Sequence, residues 1–246
     1  MWNFITSIYN TAIYEPILNL LVWLYNVIPG QDMGVVIIVV TILIRMILAP
    51  FMHKSLKGQH EMSALQPKLK ELREKHKDDK VAQREALANF YKDNNVNPLS
   101  SCLPILIQLP ILIALYHVFS KALKGNLEGL YSIVYNPGTL NHHLFGIVDL
   151  TNPNILFALL AGLAQFWQSW MMYQVQKKQG YQDEAMKAMS LPTLFILPLV
   201  SIYIAWKLPA GLPLYWIVTT LFAIGQQYYF NQGKRIEDQS DGIVGN

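Results

Sequence analysis

Arg45 is the residue whose position most strongly suggests a chemical role. It lies inside the apolar run GVVIIVVTILIRMILAPFM, eleven residues or ~16 Å of helix after Gly34. An arginine stays protonated, and placing it near the centre of a bilayer costs from ~2.5 to more than 10 kcal/mol. A carboxylate partner, snorkelling to the interface, or water held inside the protein must therefore lower that cost.

The sequence offers no carboxylate partner for this arginine. None of the five apolar segments long enough to span a membrane contains Asp or Glu. Snorkelling toward Lys54 is the alternative, but an arginine on a helix leans toward the N-terminus, away from that basic end. We therefore favour a hydrated cavity around Arg45 and keep snorkelling as the open alternative.

Uncharged polar side chains in the same spans could line such a cavity. Thr41 lies one helical turn before Arg45, on the same face. The other spans contribute Gln108, then Gln165, Gln168 and Ser169, and finally Thr219, Thr220, Gln226 and Gln227. Each alone is more often a hydrogen-bonding link between helices than a ligand. Together they predict a hydrophilic groove with uncharged walls, open toward the cytoplasm.

Catalytic and metal-binding patterns are missing from the sequence. There is no GxSxG, no HExxH, no glycine-rich phosphate loop and no pair of acids within the spans. The single cysteine, Cys102, lies in an apolar run, where it reads as a small buried hydrophobe. We expect no catalytic residue, metal or cofactor, and no direct nucleic-acid readout.

The charge distribution indicates the class of protein. Of 246 residues, 52% are hydrophobic and 14% are charged, about half the usual charged fraction. Between Lys54 and Asp93 there are 10 Lys/Arg and 7 Asp/Glu. This excludes a plain soluble globule, a disordered chain and a basic nucleic-acid module. It favours an all-α membrane protein with one large water-exposed insertion.

The apolar segments predict five transmembrane helices, since a bilayer core needs about 20 apolar residues per helix. They cover 34–52, 98–119, 154–173, 189–206 and 212–230. Residues 17–28, between Pro16 and Pro29, are too short to span and suit an amphipathic helix in the external interface. The predicted units are 1–33 (external N-terminus), 34–54 (first span), 55–97 (cytoplasmic helical hairpin), 98–232 (the other four spans) and 233–246 (short cytoplasmic tail).

Two further patterns complete the layout. Met62, Leu65, Leu69 and Leu72 form one helical stripe, and a second stripe follows a break at Asp78–Asp79, which predicts the hairpin. The external stretch from Lys124 to Pro153 reads as loop with some short helix. Basic residues alternate onto one side of the membrane, 15 against 3, so we expect the N-terminus outside and the C-terminus in the cytoplasm.

The motifs TILIRMILAP, LQPKLKELREKHKDD, FYKDNNVNPLSSCLPILIQLPILIALYHVF and LPAGLPLYWIVTTLFAIGQQYY resemble the YidC/Oxa/Alb family of membrane-protein insertases over about residues 17–232. This resemblance implies a five-span core in the bacterial plasma (inner) membrane, enclosing a hydrophilic groove with one arginine, here Arg45. The groove positions carried over by motif are Thr41, Gln108, Thr220 and Gln227, with Trp216.

The resemblance also implies partners. These are nascent membrane proteins, the lipid bilayer, the Sec translocon and ribosome–nascent chain complexes, with the cytoplasmic hairpin receiving substrate or targeting factors. The sequence shows no large external domain before the first span and no lipoprotein cysteine. The tail after Phe230 holds two basic and three acidic residues, unlike the long basic tail with which some relatives tether ribosomes.

Two other functions share parts of this pattern. A small-solute or ion transporter would also use an intramembrane charge, but it predicts internal repeats and intramembrane carboxylates for coupling. A non-catalytic scaffold or chaperone needs no groove charge, so Arg45→Ala should leave it working.

Overall fold

The computed structural model describes residues 2–97, 103–122, 125–178 and 184–244, which are mostly helical. The start of the second predicted span, with Cys102, and the 179–183 connection lie outside the described residues. The elements are α1 (Trp2–Tyr9), a π-helical turn (Asn10–Tyr14), α2 (Glu15–Val27), α3 (Met33–Lys75), α4 (Lys80–Asp93), α5 (Leu103–Ala122), β1 (His143–Leu144), β2 (Val148–Asp149), α6 (Ile155–Lys178), α7 (Glu184–Lys207) and α8 (Gly211–Val244).

The N-terminal helical layer is longer than the 17–28 segment predicted from the sequence. The helical path starts at Trp2 and passes through the π-helical turn into α2, whose first turn contains Pro16. Proline is tolerated there because the first amides of a helix have no intrahelical partner. One face of α2 packs into the hydrophobic core, while Trp23 and Val27 on another face are exposed.

A single helix of 43 residues, α3, carries both the first apolar span and the first arm of the hairpin predicted to be cytoplasmic. It begins after Asp32, whose carboxylate accepts a hydrogen bond from the amide of Val35 at 3.0 Å. It runs without interruption across the expected boundary at 54/55, with Pro50 and Pro67 inside it. The break at Asp78–Asp79 separates it from α4, so Arg45 and the first hairpin arm belong to the same helix.

The external connection between α5 and α6 differs from the sequence prediction. Within described residues 125–153 it forms a two-stranded antiparallel hairpin, β1 with β2, and no helix. The expectation of some short helix there was wrong. Strand pairing satisfies backbone groups over a segment whose glycines, asparagines and prolines interrupt helical periodicity.

The long helices pack against one another to different extents. α6 packs along α7 and α8, and α3 packs along α8, whereas α5 lies closest to the N-terminal layer and approaches α3 and α8 at few positions. By length and hydropathy, Met33–Lys75 and Ile155–Val175 qualify as membrane spans within the described residues, and Leu106–Ala122 and Leu194–Lys207 are shorter apolar helices. The count of five spans stays a prediction.

Candidate functional site

Three helices meet at the side chain of Arg45. The residue is only 8% exposed. Its Nε donates a hydrogen bond to Oγ1 of Thr219 on α8 at 3.3 Å, and its Nη2 donates to Oε1 of Gln108 on α5 at 3.0 Å. Both partners lie centrally in predicted spans. The guanidinium is therefore held between helices by central residues, which is not the arrangement that snorkelling to the interface requires.

Gln108 extends this arrangement to a fourth side chain. Its amide nitrogen donates a hydrogen bond to the hydroxyl of Tyr215. Tyr215 lies one helical turn before Thr219 on α8, so the same face of that helix supplies both groups. Tyr215 was not among the predicted site residues, although its i, i+4 spacing from Thr219 is a signal that could have identified it.

No acidic side chain of the described residues neutralises the positive charge of Arg45. Nη1 of Arg45 makes no hydrogen bond to any of the described residues. The one buried, solvent-inaccessible side-chain atom there that lacks a hydrogen-bond partner is Oδ1 of Asn231. Nη1 of Arg45 is therefore left to donate to an acceptor that the described residues do not supply.

Thr41 lies near Arg45 on α3 but does not bond to it. Its hydroxyl donates to the carbonyl oxygen of Ile37 at 2.6 Å, and its side chain is buried. Such a bond to the preceding turn is common for threonine in apolar helices. The side chain thus satisfies itself within α3 and adds a polar surface beside the arginine without holding it.

The predicted residues of α8 divide between two faces of the helix. At about 100° per residue, Tyr215, Thr219 and Gln226 lie within roughly 40° of one another. Thr220 and Gln227 lie about 100° further round on the same calculation. Thr220 and Gln227 are buried, whereas Trp216 on α8 and Gln165 on α6 are half-buried. Among the described residues, none of these four side chains forms a hydrogen bond with Arg45.

Chemically, the site is a hydrogen-bond donor with a positive charge and neutral supports. Amide, hydroxyl and phenol groups orient the guanidinium but do not compensate its charge. Its open Nη1 can donate to a carboxylate or to another acceptor brought from outside. This arrangement can dock polar or acidic segments transiently.

Comparisons with known proteins agree with this architecture. The family model of the 60Kd inner membrane protein matches residues 23–238. The membrane protein insertase MisCA of Bacillus subtilis (strain 168) is 37% identical over 81% of this chain and 70% of its own. Membrane protein insertase YidC 1 of Halalkalibacterium halodurans is 35% identical over 91% of this chain and 79% of its own.

Other relatives are longer. The chain spans 39% of the membrane protein insertase YidC of Pelobacter propionicus, to which it is 33% identical over 90% of its own length. A crystal structure of an active YidC insertase aligns with a TM-score of 0.58 and 25% identity, covering 90% of this chain and 46% of that one. The resemblance found in the sequence is thereby confirmed, and the chain belongs to the 60Kd inner membrane protein family, the family of the YidC insertases.

Proposed function

We propose that this chain is a membrane protein insertase and chaperone, which moves the hydrophilic part of a newly made membrane protein through a cytoplasm-open groove around Arg45. In this proposal five helices span the bacterial plasma membrane, with the N-terminus outside and the C-terminus in the cytoplasm. It acts without enzymatic chemistry, alone or beside the Sec translocon, and receives chains from ribosomes. Thr41, Gln108, Gln165, Trp216, Thr220 and Gln227 contribute polar or amphipathic wall.

The uncompensated charge of Arg45 is the observation that carries this proposal. A carboxylate of an incoming chain at 4 Å from the guanidinium gains ~4 kcal/mol at an effective dielectric constant of ~20. That is enough to offset part of the cost of bringing an acidic tail into a low-dielectric region. An internal carboxylate would take up this attraction permanently, and the described residues provide none.

Burial of the substrate's apolar segment supplies the driving force in this scheme. Each buried CH₂ group contributes about 0.8 kcal/mol when it leaves water, so a whole span outweighs the cost of moving a short polar tail. Leu163 on α6 and Leu221 on α8 belong to the exposed apolar surface of these helices. A substrate span leaving the groove would partition into lipid beside that surface.

Reconstituted insertion of single-span substrates tests the proposal. Matched substrates should carry either an acidic or a neutral translocated tail. We expect Arg45→Ala to reduce insertion of the acidic-tailed substrate at least tenfold, because a lost attraction of 1.4 kcal/mol already changes a rate by that factor. Arg45→Lys should retain most of it, since a lysine keeps the charge.

Arg73→Ala is the matched control, because Arg73 lies in the exposed C-terminal part of α3 and its carbonyl, not its side chain, accepts the bond from Gln83. It should insert both substrates normally. Normal insertion by Arg45→Ala would refute the charge mechanism and favour the hypothesis of a non-catalytic scaffold. Saturable small-solute flux through the wild-type chain in liposomes would favour the transporter.

A further inference from the structure

The external β-hairpin presents an uncharged tip, Phe145-Gly146-Ile147, between its two strands. The flanking Leu144 is buried, so the exposed apolar surface of the tip belongs to Phe145 and Ile147. Phe145 is 68% exposed and Ile147 is 83% exposed. These values match the lipid-facing surface of the first predicted span, where Ile47 is 68% exposed.

The backbone of the tip is strained at Phe145. Phe145 has φ +53° and Gly146 has φ +69°, and the amide of Ile147 donates to the carbonyl of Leu144 at 3.0 Å. This is a two-residue turn whose first position favours Asn, Asp or Gly. A bulky residue with positive φ is unfavourable, and here its side chain is exposed instead of filling the core. The turn therefore presents an aromatic side chain to the outside at a cost in backbone energy.

Three hydrogen bonds fix the position of this tip and its loop relative to α2 and the start of α3. The amide of Phe145 donates to Oδ2 of Asp32 at 2.5 Å, and Asp32 is also the cap at which α3 begins. Nearby, the amide of Asn141 donates to the hydroxyl of Tyr25, and Nδ2 of Asn26 donates to the carbonyl of Tyr135, each at 2.7 Å. The hairpin is thereby tied to the α2–α3 connection, where the apolar run of the first span starts.

Close packing supports the same position. A Cβ added to Gly34 would lie 2.3 Å from Cδ1 of Leu144, so only glycine lets the hairpin sit against the first turn of α3. The two segments joined by the bond between Asn26 and Tyr135 also carry exposed apolar side chains: Trp23 and Val27 on α2, and Ile133 and Tyr135 on the external loop.

From these observations we propose that Phe145 and Ile147 insert into the interfacial region of the leaflet at the start of α3, which makes the external β-hairpin a lipid anchor. Interfacial insertion of exposed aromatic and aliphatic groups is favourable in that zone. The anchor would hold the α2–α3 connection at a constant depth. It rests on α3 crossing the membrane and not on insertase activity, so the two proposals fail separately.

Depth-dependent fluorescence quenching tests this anchor on the full chain. Cys102 is replaced by Ser, Ile147→Cys carries an environment-sensitive fluorophore, and the liposomes contain nitroxide lipids with shallow labels in both leaflets. Val81→Cys is the matched control, because Val81 is 74% exposed and apolar but lies at the start of α4 in the cytoplasmic hairpin. We expect quenching at 147 to exceed that at 81 several-fold.

Two variants separate lipid contact from a folding effect. Phe145→Asn introduces a residue suited to positive φ, so the turn should form at least as well while quenching at 147 falls toward the level at 81. Asp32→Ser keeps a helix cap but loses the second oxygen that holds the hairpin, and it should lower quenching similarly. Equal quenching at 147 and 81 would overturn the proposal, as would quenching at 147 that stays unchanged in Phe145→Asn.

Discussion

Gln108→Glu tests the site most directly, because it supplies a carboxylate that none of the described residues offers to Arg45. Glutamate has nearly the shape of glutamine, so its oxygen can occupy the position of Oε1, 3.0 Å from Nη2 of Arg45. Tyr215, which accepts a hydrogen bond from the present amide, can turn its hydroxyl to donate to the new carboxylate. The substitution therefore changes the charge with little change of shape.

The magnitude follows from the distance. At 3.0 Å and an effective dielectric constant of ~20, the new pair gains about 5.5 kcal/mol of attraction. A substrate carboxylate at 4 Å gains ~4 kcal/mol on the same scale, so it cannot displace the internal partner. We expect insertion of an acidic-tailed substrate to fall at least tenfold, while a neutral-tailed substrate is affected much less.

The assay compares three proteins in proteoliposomes: wild type, Gln108→Glu and Gln108→Leu. The leucine variant removes the same hydrogen bonds without adding a charge, so it controls for lost polar contacts. Leaving the donors of Arg45 without this acceptor should lower the free energy of unfolding by about 1–3 kcal/mol but preserve selectivity for acidic tails. Thermal unfolding in detergent measures that loss and verifies folding of each variant.

Insertion by the folded Gln108→Glu protein can refute this role of Arg45. If a folded Gln108→Glu protein inserts acidic-tailed substrates as well as wild type does, an uncompensated guanidinium is not what the substrate uses. Equal losses for acidic and neutral tails in Gln108→Glu would likewise contradict it, because they would indicate a general defect of the groove.

Three further predictions concern packing, buried polar groups and a helix cap. Gly162→Ala should lower the free energy of unfolding by about 1–3 kcal/mol, because its Cβ would lie 2.2 Å from Cγ1 of Ile202. Adding Ile202→Ala should recover part of that loss. Gly225→Ala is the control in the same thermal unfolding assay and should be harmless, because nothing lies within 4 Å of its Cβ. Asn19→Leu should cost about 2–3 kcal/mol, since its buried amide bonds two carbonyls and one amide of the chain, and unchanged stability would refute this. Backbone hydrogen bonds from Ala82 and Val81 lower the pKa of Asp79, so its stabilisation of α4 is present above the ordinary aspartate pKa and fades as pH falls through the lowered value. The amide-exchange protection factors at the start of α4, which correct for the intrinsic pH dependence of exchange, should fall with acid in wild type but not in Asp79→Asn.

Much of the site could be predicted from the sequence. Arg45, its missing carboxylate and Gln108 were all apparent, because an isolated charge in an apolar run is visible without knowing the fold. Tyr215 was missed because a tyrosine in a span reads as an apolar or interfacial residue. Its spacing of four residues from Thr219 placed it on the same face, and its contact with Gln108 shows that its hydroxyl belongs to a buried polar group.

The motif resemblance pointed to Thr220 and Gln227, whereas Arg45 bonds to Thr219. A shift of one residue turns a helix face by about 100°, and sequence periodicity alone does not set the rotation of one helix against another. Side-chain packing sets it, as between α6 and α7, where Gly162 admits Ile202. The course of the external connection, a β-hairpin instead of short helix, also depends on distant partners such as Asp32.

The amino-acid sequence by itself determined the class of protein, the position of the buried charge and the break between the hairpin arms, since these depend on local composition and periodicity. Tertiary structure alone decided which groups meet Arg45, that α3 continues unbroken from the first span into the hairpin, and where the external loop rests. Those outcomes depend on the rotation, spacing and docking of whole helices, which arise from packing between segments far apart in the chain.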